Sequence, residues 1–107
     1  MSEALPRRVR EFLLAHVDSI GLLEVLLALA AEPQSTFSAD QVSDYLRTSS
    51  MAAQMRLRQL SERRLVDALP DGSFRFTSGA ELAETVRAVS LAYRERRISV
   101  VTLIYSR

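Results

Sequence analysis

Residues 38–77 decide the fold, and they read SADQVSDYLRTSSMAAQMRLRQLSERRLVDALPDGSFRFT. The stretch opens with a capping box, Ser38 followed three residues later by Gln41, which predicts a helix over residues 39–46. After a tight connection, a stripe of apolar residues at helical spacing predicts a second helix over residues 50–63. Two helices joined this closely are the first sign of a helix-turn-helix arrangement.

Two short runs that tolerate β-structure, residues 65–69 and 73–77, flank the sequence Pro70-Asp71-Gly72. Gly72 can supply the positive φ that a tight turn needs, so the pattern predicts a β-hairpin. Upstream of the capping box, residues 34–38 predict a stub of strand. The order that results is strand stub, helix, helix and hairpin.

The chain before this stretch predicts two more helices. Pro6 suits the first position of a helix over residues 6–17, and residues 20–31 are apolar on nearly every side, which is typical of a buried helix. The apolar run of about 12 residues contains Glu24 and is too short to span a bilayer. Because no signal-peptide pattern precedes it, we expect a soluble, cytoplasmic chain with no membrane partner.

The chain after residue 77 predicts a long last helix. Ser78 with Glu81 forms a second capping box, which would open a helix over residues 79–104. The run 98–105 is rich in β-branched residues and has strand propensity, but the absence of a breaker favours helix, with strand as the alternative. The final residues carry no helix-stop signal, which leaves open a continuation of the chain beyond residue 107.

Such a last helix predicts a homodimer. At 1.5 Å per residue a helix over 79–104 is about 39 Å long, against a radius of gyration of roughly 13 Å for a domain of this size. Its apolar end would overhang the core, and a second subunit is the simplest cover. We therefore expect helices 6–17 and 79–104 to form the dimer. The predicted interface residues are Phe12, Tyr93, Val101 and Ile104.

The composition argues against an enzyme. The chain has 107 residues, the size of a single domain, with no cysteine and one histidine. Thiol chemistry is excluded, and neither a phosphate-cradling glycine loop nor a metal-ligand spacing is present, so we expect no catalytic site, cofactor or metal. The 14 basic residues are all arginine and face 13 acidic ones, so the net charge of +1 does not by itself indicate a nucleic-acid partner.

The series that starts with Leu46-Arg47-Thr48-Ser49 continues with small and apolar residues and ends in Ser61-Glu62-Arg63-Arg64-Leu65-Val66. It resembles the DNA-binding segment of the multiple-antibiotic-resistance (MarR-like) and arsenic-repressor-like (ArsR-like) bacterial transcriptional regulators. The resemblance covers about 40 of the 107 residues directly. It implies a mainly α fold with a small β-hairpin wing, a single winged helix-turn-helix domain over 1–107, and double-stranded DNA as the partner.

Three positions depart from the family pattern. Arg47 stands where the family has a turn glycine, and Arg64 stands where it has the glycine before the wing. These arginines indicate that the backbone need not adopt positive φ at either point. The start of the predicted recognition helix, residues 49–52, carries no charge, whereas the family has polar or basic residues there.

The resemblance implies that helix 50–63 lies in the major groove, with hairpin 65–77 alongside it as the wing. In this arrangement Gln54 can pair with adenine and Arg58 with guanine or phosphate, while serine hydroxyls at the helix start reach phosphates. The predicted DNA-binding residues are Ser49, Ser50, Met51, Gln54, Met55, Arg56, Arg58, Arg63 and Arg75.

The same residues allow a second hypothesis, in which the winged helix is a protein-interaction or assembly module that does not bind DNA. Met51 and Met55 suit an adaptable protein contact as well as a thymine methyl group. An exposed arginine such as Arg58 is often only a solvated helix face, and Arg63 can bind carbonyls at a helix C-terminus. The sequence does not identify an operator, an effector, or whether the chain activates or represses.

Overall fold

The computed structural model describes residues 5–106, which form two compact units. One unit is Gly21–Ser78, and the other combines the described residues before position 21 with those after position 78. Within the described residues the chain is 67% helical, with six helices and one two-stranded antiparallel sheet. The elements are α1 Arg7–His16, α2 Ile20–Ala31, α3 Ala39–Leu46, α4 Ser50–Glu62, β1 Val66–Ala68, β2 Phe74–Phe76, α5 Ala80–Glu95 and α6 Arg97–Tyr105.

The unit Gly21–Ser78 contains the predicted order of elements, and α3 packs against α4. The predicted hairpin is confirmed, with Val66 opposite Phe76 and with Gly72 at a φ of 89° in its turn. The predicted strand stub is present as a single bridge, in which Phe37 and Phe74 exchange two backbone hydrogen bonds of 2.8 Å. The apolar side chains of α2 are buried as expected. They are Leu22, Leu23, Val25, Leu26 and Leu29.

Side-chain caps define where α3 and α4 begin. The Ser38 hydroxyl accepts a hydrogen bond from the Gln41 backbone N–H at 3.1 Å, and the Gln41 side chain accepts one from the Ser38 N–H at 2.8 Å. The predicted capping box is therefore confirmed. Ser49 caps α4 in the same manner, since its hydroxyl accepts from the Ala52 N–H at 3.0 Å.

The ends of α3 and α4 show that positive φ is needed at both positions, contrary to the interpretation of their arginines. Arg47 has a φ of 57° and Arg64 a φ of 63°, so both adopt the left-handed conformation. The cause is hydrogen bonding at the helix ends, because Thr48 N–H donates to the Ser43 carbonyl and Leu65 N–H donates to the carbonyl of residue 60. Such closing bonds require a left-handed residue just after the helix. Local hydrogen bonding at the helix end therefore determines the backbone there, even though the side chain is an arginine.

The other unit contains α1, α5 and α6, which pack against one another. Residues 97–105 form a helix rather than a strand, as the sequence favoured. The single helix over 79–104 is wrong, because Arg96, at φ −135° and ψ 51°, interrupts it between α5 and α6. Beside the break, the Arg97 guanidinium lies 4.2 Å from the centre of the Tyr93 ring and donates to its hydroxyl at 2.9 Å.

The start of α5 also differs from the prediction. Gly79, with a φ of 145°, occupies the N-cap position, and no side chain caps this helix end. The second capping box, Ser78 with Glu81, is therefore wrong. Glu81 nevertheless lies in the first turn of α5, where a carboxylate interacts favourably with the helix dipole.

No helix of residues 5–106 is long and apolar enough to cross a membrane by itself, and α1 and α2 meet that criterion only when they are counted together, by length and composition.

Candidate nucleic-acid interface

The helix α4 has one buried and one exposed face. Ala53, Leu57 and Leu60 are fully buried and fix the helix in its unit. On the opposite face, 76% of Met51 and 57% of Met55 are exposed. The division between inward and outward positions is the one that the helical spacing predicted.

A groove of about 580 Å³ runs along this exposed face, between α4 and the start of α3. It brings together five of the nine predicted DNA-binding residues, Ser50, Met51, Gln54, Met55 and Arg58. The remaining lining residues were not predicted. They are Ala39, Asp40, Gln59 and Glu62.

Asp40 joins the two helices at the edge of the groove. It is exposed, and its carboxylate accepts a hydrogen bond of 2.7 Å from the Ser50 hydroxyl. This bond ties the first residue of α4 to the first turn of α3, so it fixes the connection between them. Sequence reasoning missed this contact because a pair ten residues apart across a turn leaves no periodic signal.

The charges along the groove are mixed. Arg58 is the one cation among the nine lining residues, and it shares the groove with two carboxylates, Asp40 and Glu62. A phosphate near the centre of the groove would therefore be attracted by Arg58 and repelled by the acids at close range. Contacts with base edges would depend on Gln54, Arg58 and Gln59, the lining side chains that are long and carry hydrogen-bond donors.

Arg56 lies away from this groove. Its side chain is half-buried and its guanidinium packs on Gly21, where an added Cβ atom would come within 2.5 Å of the Arg56 Cζ. A larger residue at position 21 would therefore displace the arginine. The assignment of Arg56 as a phosphate contact would require this side chain to leave its packing site.

The other predicted DNA-binding residues lie at the ends of α4 and in the hairpin. Ser49 is exposed and caps α4, as described above. Arg63 is half-buried, with its backbone N–H bonded to carbonyls of the last turn of α4. Arg75 is half-buried in β2 opposite Asp67, whose carboxylate accepts a hydrogen bond of 2.9 Å from the Thr77 hydroxyl.

The hairpin turn is stabilised by Asp71. Its carboxylate accepts hydrogen bonds from the Ser73 hydroxyl at 2.6 Å and from the Ser73 N–H at 3.0 Å. These two bonds, the hydroxyl bond first, lower the pKa of Asp71 from its ordinary value. At neutral pH the carboxylate of Asp71 is therefore charged, and its two hydrogen bonds to Ser73 stabilise the turn.

The predicted dimer residues occupy a different environment from the one expected. Phe12, Tyr93 and Ile104 are buried within the chain itself, and Val101 is half-buried. The overhanging helix that motivated a covering subunit is absent, because α5 and α6 are separate helices. Burial of these four residues thus does not require a second subunit, and their place in a dimer stays a prediction.

Among residues 5–106, no group of three or more His, Cys, Asp or Glu side chains is arranged to hold a metal ion. Comparisons of the chain with protein-family models, with curated proteins and with solved structures found no match in any of the three.

Proposed function

We propose that this chain is a winged helix-turn-helix protein that binds double-stranded DNA as a homodimer and regulates transcription. In this proposal α4 enters the major groove and the hairpin of β1 and β2 contacts the flanking backbone. The observation that carries the proposal is the pairing of a helix start capped by Ser49 with an exposed face on α4, directly after the tight α3–α4 turn and directly before a hairpin.

The geometry of the α4 start supports phosphate binding. The Ser49 hydroxyl accepts a hydrogen bond from only one backbone N–H group of the first turn of α4, that of Ala52. The other N–H groups of a helix N-terminus have no partner within the helix and can donate hydrogen bonds to an anion. Ser50 adds a hydroxyl at the same end, although Asp40 engages it in the free protein. Arg58 on α4 and Arg75 on β2 supply the charges that a phosphate backbone attracts.

The DNA proposal is tested by fluorescence anisotropy with mixed-sequence duplex DNA, measured across a series of salt concentrations. Each phosphate contact contributes about 0.9 to the slope of log affinity against log salt. Arg58→Ala combined with Arg75→Ala should therefore weaken binding and lower the slope by about 1.8 if both contact phosphate. Arg10→Ala removes one arginine from the exposed surface of α1, outside the predicted DNA-binding residues, and should leave the slope unchanged.

Absence of binding to duplex DNA even at low salt would contradict the proposed function. Binding by the wild-type chain with an unaltered slope in the double variant would contradict only the residue assignment.

The proposal of a homodimer is supported by apolar side chains that are exposed on the unit formed by α1, α5 and α6. Ile98 is 82% exposed, Tyr105 is 65% exposed and Leu14 is 39% exposed. Ile98→Asp should give monomers by light scattering if α6 forms the interface, with little effect on folding because the side chain is already in water. A dimer that persists in this variant would exclude α6 as the contact surface.

A second candidate function is protein docking on the α4 groove. The observation that favours it is the pair of exposed methionines, since flexible thioether side chains adapt to varied apolar partners. The unit Gly21–Ser78 also carries six arginines against seven acidic residues, a balance that gives duplex DNA little long-range attraction. Met51→Ser with Met55→Ser should abolish protein docking while it preserves the salt-dependent part of DNA binding.

A further inference from the structure

A cleft of about 590 Å³ lies between α1 and α5, both in the same unit. Three of its seven lining residues are arginines, Arg8 from α1 and Arg87 and Arg94 from α5, and the single acidic one is Glu84. Arg87 and Arg94 are seven residues apart, so they lie on one face of α5 about 10 Å from each other along the axis. The cleft thus has a net charge of +2, from three cations and one anion.

Within residues 5–106, none of these three guanidinium groups is hydrogen-bonded or ion-paired to another residue, Glu84 included. Two other arginines of this unit do have partners. Arg7 Nε lies 3.2 Å from Glu11 Oε2, and the Arg97 guanidinium stacks on the Tyr93 ring and donates a hydrogen bond to its hydroxyl. These three exposed like charges around one cleft create a positive local potential that attracts anions.

We infer that this cleft, which we call the α1–α5 cleft, binds a small phosphorylated molecule through Arg8, Arg87 and Arg94. A phosphomonoester carries a charge close to −2 at neutral pH, which matches the net charge of the cleft. Guanidinium groups bind phosphate oxygens in bidentate fashion, and the Ser90 hydroxyl between the α5 arginines supplies a further donor.

The rest of the cleft suits the organic part of such a ligand. Ala88 and Leu91 give it an apolar wall, and Leu91 is 45% exposed in the free protein. The volume of the cleft falls within the range of roughly 300–1,000 Å³ that is typical of small-molecule sites. The inference concerns a different unit from the α4 groove and does not depend on DNA binding.

The test is titration of the ¹⁵N-labelled full chain with glycerol 3-phosphate and with inorganic phosphate through the millimolar range, at constant ionic strength. We expect saturable shifts of the amide signals of Ala88, Ser90 and Leu91. Arg87→Ala or Arg94→Ala should weaken binding roughly tenfold, since each loses charged hydrogen bonds to the phosphate. Arg10→Ala is the matched control: it removes one exposed α1 arginine outside the cleft and should bind as the wild type does.

Two further ligands separate a phosphomonoester site from general attraction to anions. Dimethyl phosphate carries a single charge, and malate carries two charges without a phosphate group, so both should bind more weakly than glycerol 3-phosphate. Equal binding of either compound would overturn the assigned ligand class. No saturable shifts, or equal loss of binding in the Arg10 and Arg87 variants, would overturn the site itself.

Discussion

Replacement of Arg47 or Arg64 by glycine should stabilise the fold. Both residues are left-handed, at φ 57° and 63°, and this conformation costs a residue with a Cβ atom about 1–2 kcal/mol. Glycine removes that cost but gives the unfolded chain extra entropy, which offsets about 0.4–1 kcal/mol of the gain. We therefore expect each variant to raise the free energy of unfolding by about 0.5–1 kcal/mol.

The two gains should add. Arg47 precedes α4 and Arg64 follows it, and a helix of 13 residues separates them by about 20 Å. In a domain of this size 1 kcal/mol corresponds to a change in Tm of about 4–8 °C, so the double variant should melt well above the wild type. Urea unfolding followed by circular dichroism would give the free energies.

Two control variants isolate the backbone effect from the loss of the side chain. Arg47→Ala keeps the Cβ atom and the strain, so it should show no gain. Arg58 lies within α4, so Arg58→Gly should lower the free energy of unfolding by about 1 kcal/mol, because glycine is unfavourable inside a helix. If Arg47→Gly and Arg47→Ala proved equally stable, removal of the Cβ atom would give no gain, and the reasoning from backbone strain would be refuted.

Three further predictions follow from the caps, the hairpin turn and the contact of α2 with α4. Ser38→Ala should cost about 1 kcal/mol in urea unfolding, whereas Ser78→Ala should cost almost nothing, because only the first hydroxyl caps a helix. By NMR titration the pKa of Asp71 should lie below its ordinary value, so the turn keeps the full contribution of this carboxylate above about pH 4 and loses it as the pH falls through the lowered pKa. Gly21→Ala should stabilise α2 by up to about 1 kcal/mol when Arg56 is also alanine, and by less in the wild-type background, where the guanidinium must move. Equal effects of Gly21→Ala in the two backgrounds would show that the two residues do not interact.

The parts of the fold that short-range rules govern were predictable from the sequence. The capping box at Ser38 and Gln41 depends on a spacing of three residues, and the hairpin turn at Gly72 depends on the conformational freedom of glycine. The buried stripe of α4 follows from helical periodicity alone. In each case the interacting groups are neighbours along the chain, so the sequence contains the whole interaction.

The features that the sequence did not predict are one local break and several contacts between groups brought together by folding. Nothing near Arg96 breaks a helix by propensity, so the junction between α5 and α6, which the contact of Tyr93 with Arg97 spans, had no signal in the sequence. The packing of Arg56 on Gly21 joins positions that are far apart in sequence. The exposed face of α4 was predictable from helical spacing. The position of the Asp40 carboxylate beside that face was not, because Asp40 belongs to α3.

The two exposed methionines on α4 make this surface sensitive to oxidants. Conversion of Met51 or Met55 to the sulfoxide would replace an apolar, flexible side chain by a polar, chiral one in the middle of the groove. Aerobic storage would therefore produce a mixture of molecules that differ at the surface proposed for partner binding. Treatment with both types of methionine sulfoxide reductase, one for each sulfoxide epimer, should reverse this oxidation, so binding to this face would depend on the redox history of the sample.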